Sequence, residues 1–188
     1  MMGWLIKNKW LFIIGSIIII ILVVGFIFAK KTMVTKTLTK TLRLTSSAFA
    51  HNGLIPERYT CNGNNFSPPL VISDAPAGAK SLALVMDDPD APAGVWDHWI
   101  IYNLPAGVTE LAEGESPAGT LGLGTAGNVN YEGPCPPSGV HRYFFKLYVL
   151  DIELPLAPGA AKGEVMAAMR GHILDQTELV GRYGRVNP

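Results

Sequence analysis

The sequence predicts a mainly β domain with one C-terminal helix, preceded by one N-terminal transmembrane helix. Three observations predict it. Leu11 to Ala29 (LFIIGSIIIIILVVGFIFA) is nineteen residues without a charge, enough at about 1.5 Å per residue to cross a hydrocarbon core of roughly 30 Å. Beyond it the apolar runs are short, rich in β-branched and aromatic residues, and cut by Pro/Gly turns: Ser81 to Met86, Trp99 to Leu104 and His141 to Asp151 (HRYFFKLYVLD). Only Lys162 to Leu174 (KGEVMAAMRGHIL) places apolar residues, Val165, Met169 and Ile173, at helical intervals.

The first segment reads as an anchor over residues 1–30. Trp4 and Trp10 stand where interfacial aromatics belong, and Lys7, Lys9, Lys30 and Lys31 flank the run. A cleaved signal peptide has a shorter apolar region, about 7–15 residues. Residues 31–41, with Lys/Thr alternation, form a basic linker suited to anionic headgroups. The side of the membrane stays open at this point: the five basic residues after the span favour a cytoplasmic domain, whereas a short N-terminal tail that stays inside would export it.

Residues 42–188 make one domain of ordinary size. The formal net charge of zero hides an asymmetry, because Met1 to Arg43 carries only basic charges, while Leu44 to Pro188 has eight Lys/Arg against fifteen Asp/Glu. An acidic body argues against a nucleic-acid surface. Leu42 and Leu44 alternate with polar residues as in a half-buried strand; Asn62 to Pro69 is a loop by composition, and Val71 to Ala79 a short strand ending in a turn. Ser81 to Met86 then delivers Asp87, Asp88 and Asp90 onto a loop stiffened by Pro89 and Pro92, and His98 stands at the mouth of the next run. Glu110 to Gly127, rich in glycine and without periodicity, is a long surface excursion. His141 to Asp151 is apolar enough to run through the middle of a sheet.

Asp88, Asp90, His98, His141 and Tyr143 supply two carboxylates, two imidazoles and a phenol. The histidines lie in no HxxxH or HxH string, so no metal site is expected. There is no GxSxG elbow and no P-loop or dinucleotide spacing, so no cofactor is expected. Two-carboxylate chemistry depends on a spatial separation and stays open.

The strings DPDAP (Asp88 to Pro92), HW (His98 to Trp99) and GPCPPSGVHRYFF (Gly133 to Phe145) together resemble the phosphatidylethanolamine-binding protein family, also called Raf kinase inhibitor-like, in its bacterial and archaeal branch. YTCNGNNFSPPL (Tyr59 to Leu70), APAGAKSLAL (Ala75 to Leu84) and GHILDQTELVGRYGR (Gly171 to Arg185) extend the resemblance from about Leu42 to the C-terminus. It implies two packed antiparallel sheets with a C-terminal helix, and a small anion pocket for a phosphate-like ligand or phospholipid headgroup. The implied ligand-binding set is Asp88, Asp90, His98, Gly133, Pro137, His141 and Tyr143, with Asp88 orienting a histidine. Val71 and Ile72 stand where the family often has an aromatic residue after SPPL, a departure that bears on headgroup preference. With the anchor read from Leu11 to Ala29, the expected function is membrane-anchored binding that modulates a protein partner of unknown identity, with no catalytic residue and no cofactor. A hydrolase using the same cluster and an interaction module with a vestigial pocket are the alternatives.

Cys61 and Cys135, unless they are unrelated buried thiols, belong to loops that the resemblance places at one pocket rim, and so are expected to form a disulfide. Such a bond persists in an oxidising compartment, which favours an extracytoplasmic domain.

Overall fold

The structure, a computed structural model, describes residues 40–185. The predicted anchor and most of the linker lie outside the described residues. Among the described residues no helix is long and apolar enough to cross a membrane.

Two sheets make up the body. A three-stranded sheet is ordered β1 (Arg43–Thr45), β3 (Leu70–Ser73), β6 (Glu110–Leu111). A six-stranded sheet is ordered β2 (Gly53–Leu54), β9 (Ile173–Gly184), β8 (Val140–Leu150), β4 (Ser81–Asp88), β5 (Trp96–Pro105), β7 (Thr120–Leu121). Neighbours pair antiparallel except β2 with β9, which are parallel. The fold is therefore mainly β with two sheets, as expected, although not wholly antiparallel.

One face of the large sheet, with Leu82, Leu84, Met86, Phe145, Leu147 and Val149, packs on Leu44, Leu70, Ile72 and Leu111 of the small sheet. Its other face, with Ala83, Val85, Ile100 and Tyr102, is covered by Val165 of α1 (Lys162–Ala168) and by Met169, which caps that helix. Both faces being covered explains why β4 is buried at every position, Ser81 through Asp88. Strands buried on both sides read as continuous apolar runs rather than alternating ones.

Two sequence expectations are corrected. The strand expected to end at Met86 continues through Asp87 and Asp88, which are buried inside it instead of displayed on a loop. Each is paired: Asp87 accepts from Lys146 and Lys162 at 2.8 and 2.7 Å, and Lys162 also reaches Asp97 at 2.7 Å. Buried charges persist when partnered in this way. The helix expected to reach Leu174 ends at Ala168, because Gly171 adopts φ +80° and Ile173 pairs with Leu150 at the start of β9. Val165 and Met169 fill the sheet face, whereas Ile173 remains 39% exposed, so the third apolar position never belonged to the helical stripe.

Candidate functional site

The ends of β4, β5 and β8 meet at one edge of the interface between the sheets, and the chemistry-bearing residues converge there. A cavity of about 460 Å³ is lined by Asp88, His98, Glu132, Cys135, Pro136, Pro137, His141 and Trp96, with Ala91, Pro92 and Ala93 on one side.

Asp88 and His141 come from neighbouring strands on the same sheet face, in line with Met86 and Phe145 behind them. The His141 Nδ1–H donates to Asp88 Oδ2 at 2.7 Å, and both side chains are almost wholly buried. That bond fixes the ring and leaves Nε2 as the nitrogen free for a ligand. Asp88 Oδ1 accepts from the Asp90 amide at 2.8 Å, so the carboxylate is fixed at both oxygens.

His98 reaches the cavity through an irregularity in β5. Met86 pairs with Trp99 while Asp87 pairs with Asp97, which makes His98 the extra residue of a bulge. A bulge places successive residues on the same side, and here His98 lines the large cavity while Trp99 lines a smaller one of about 250 Å³ beside Tyr131. The His98 Nδ1–H donates to the Glu132 carbonyl at 2.7 Å, and the Glu132 amide returns a bond to the His98 carbonyl at 3.1 Å. Burial pushes the His98 pKa below the ordinary imidazole value, against the opposing pull of the Glu132 carbonyl. In its neutral form His98 thus presents Nε2 as an acceptor.

Three expected site residues stand behind or beside the cavity rather than on its wall. Tyr143 is fully buried and meets His98 edge-on, ring centroids 5.2 Å apart. Its hydroxyl makes no hydrogen bond of normal geometry, although the Cys135 amide approaches it, and burial raises its pKa. Asp90 accepts from the Arg142 amide, Nε and Nη2 at 2.7–3.0 Å, and this pairing holds its carboxyl down to about 2. Gly133 pins the rim: its amide donates to Asn65 Oδ1 at 2.8 Å, and the backbone of Tyr59 and Thr60 lies where a Cβ would go.

The rim loop is tied to the loop before β3 in a second way. Cys61 and Cys135 form a disulfide, their Cα atoms 5.4 Å apart, beside a bond from the Cys61 amide to the Pro134 carbonyl. This is the pairing the resemblance implies. Residues the sequence did not single out are Trp96, whose indole N–H donates to Glu132 Oε2 at 3.2 Å, and Glu132 itself.

A β protein with a small pocket at the end of its sheet interface, walled by proline and floored by two hydrogen-bonded imidazoles, has the form of a binding protein. The chain belongs to the phosphatidylethanolamine-binding protein family, whose model matches residues 45–184. A UPF0098 protein of Methanothermobacter thermautotrophicus is 52% identical over 150 residues, which cover 77% of this chain and 99% of that one. A UPF0098 protein of Chlamydia muridarum is 48% identical over 147 residues, 76% of this chain and 98% of that one. Among solved structures, a phosphatidylethanolamine-binding protein homolog from Chlamydia trachomatis superposes with TM-score 0.76 at 45% identity, covering 78% of this chain and 99% of that chain. YbcL of E. coli, described as a member of the mammalian family, gives TM-score 0.72 at 28% identity over 77% of this chain and 98% of that chain.

Proposed function

We propose that this protein is a membrane-anchored binding protein whose cavity takes a phosphate-like anion, free or as a phospholipid headgroup, and that it modulates a partner protein in response. One observation carries the anion reading: His98 and His141 line one cavity, and each has Nδ1 committed elsewhere, which leaves two Nε2 atoms for a ligand. Imidazolium N–H groups are good donors to phosphate oxygens. The volume exceeds what one phosphate fills, and the walls of Ala91, Pro92, Ala93, Trp96, Pro136 and Pro137 suit an organic portion. None of the described residues lining the cavity is a Ser or Thr, its cysteine is in the disulfide, and its two carboxylates are engaged, Asp88 by His141 and the Asp90 amide and Glu132 by Trp96, so binding is favoured over nucleophilic hydrolysis.

The test is a phosphate titration followed by NMR of the histidine rings. His98 and His141 should both shift; a titration that moves neither would remove the anion reading. His141→Ala should weaken binding by about 1.5–3 kcal/mol, the range for a hydrogen bond to a charged group.

Anchoring rests on Leu11 to Ala29, and an extracytoplasmic domain on the disulfide. Alkylation of protein taken from its native membrane should find no free thiol. Two free thiols there would put the domain on the cytoplasmic side.

A further inference from the structure

The Cys61–Cys135 disulfide is placed unlike a buried staple. Both cysteines are exposed, and Cys135 is itself part of the cavity wall. Arg185, from the chain just beyond β9, donates from Nη2 to Cys135 Sγ at 2.9 Å and to Cys61 Sγ at 3.4 Å. Exposed disulfides are the ones that exchange, and a guanidinium beside a sulfur stabilises the thiolate that departs. Cys135 is also the last tether of the rim before two residues that have no amide proton to bond, Pro136 and Pro137, both lining the cavity.

We propose that this disulfide is an exchange site for an external dithiol, that Cys135 is the leaving sulfur, and that the state of the bond sets the affinity of the cavity it borders. One thiolate of the dithiol attacks Cys61 Sγ, forming a mixed disulfide as the Cys61–Cys135 bond breaks. The bonding pair leaves on Cys135 as a thiolate against Arg185. The second thiol of the dithiol, after losing its proton, attacks the dithiol's own first sulfur and expels Cys61 as a thiolate. Two electrons pass to the protein, both cysteines can take up the protons the dithiol gave to water, and the dithiol ends as a cyclic disulfide. Reduction leaves the rim held at Gly133 by Asn65 and at Pro134 by the Cys61 amide, but frees the wall that follows.

The affinity half of this proposal rests on the anion reading, and the experiment separates the two. The oxidised full chain, the chain reduced with dithiothreitol and the Cys61→Ser/Cys135→Ser variant are each titrated with inorganic phosphate, with the histidine-ring resonances as readout. The reduced and double-variant chains should bind about fivefold or more weaker than the oxidised chain, within the usual span of coupled sites, and the variant should ignore dithiothreitol. If the oxidised chain fails to bind phosphate, the anion reading falls; His98 and His141 ring shifts on reduction of the ligand-free chain still support coupling of the bond to the cavity. A second arm needs no ligand: Arg185→Gln should be reduced several-fold more slowly than the parent, with partial recovery in Arg185→Lys. Equal affinity and unchanged rings in the two redox states overturn the proposal, as does loss of the cooperative melt on reduction, which would make the bond a staple. An unchanged reduction rate in Arg185→Gln overturns the role of Arg185 in stabilising the departing thiolate.

Discussion

At the scale of single residues, His98 carries the sharpest consequence. Its folded pKa lies below the ordinary value because of burial, so near neutrality it is uncharged and offers an acceptor where an anion needs a donor. Anion binding should therefore draw a proton onto the ring. Sulfate, a dianion throughout the range, is the probe that keeps the ligand's own titration out of the result. Its affinity should rise as pH falls from about 7.5 toward and below the unperturbed imidazole value of about 6.5, with proton uptake seen as a buffer-dependent binding enthalpy; a flat profile would remove His98 from the anion contact. The sign for stability is opposite. The unfolded chain takes up this proton before the folded one does, so without ligand the fold weakens as pH drops below about 6.5, down to the folded pKa. Asp88, His98 and His141 were legible in the sequence because ionisable groups stand out at the ends of apolar runs. Trp96, Glu132 and Arg185 were not, since strand pairing opposite Asp88, a carbonyl and contacts across 124 and 50 residues of sequence bring them in.

At the scale of elements, legibility followed burial. The strand β4 and the second half of β8 announce themselves because both their faces are covered, whereas β9 has the pattern of a largely solvent-facing strand and begins inside the helical spacing expected to reach Leu174, of which only Lys162–Ala168 is helix. Two-residue strands such as β2, β6 and β7 are too short to carry any period. The rim depends on one element-level fit that composition does show. A Cβ on Gly133 would stand 2.5 Å from both Asn65 Oδ1 and the Tyr59 carbonyl oxygen and 2.9 Å from Thr60 Cα. Two of these are backbone, so the loops must part. Gly133→Ala should cost about 1–3 kcal/mol, as overpacking does, lowering the melting temperature by about 2–4 °C per kcal/mol, and should slow closure of the disulfide. Melting and oxidation rate unchanged from the parent would show that the loops do not depend on this contact.

At the scale of the whole molecule, the buried residues of the two apolar clusters on either side of the large sheet are drawn from residues 42–179. Removing residues 1–40 should therefore leave a soluble chain with one cooperative melt. Its only described partner loss is a surface ion pair, Lys40 with Asp74 at 3.5 Å, a kind of contact worth little. Aggregation without a melt would mean that the apolar segment is part of the fold. The disulfide sets one more property of the folded body. Its two cysteines are 74 residues apart, and the covalent loop they close contains β3 through β7. Under a pull on its ends, an oxidised molecule can pay out only the chain outside that loop, so roughly 250 Å of contour stays hidden at any force that spares covalent bonds. The reach of this domain from the point where it is held is therefore set by thiol chemistry rather than by the strength of its sheets.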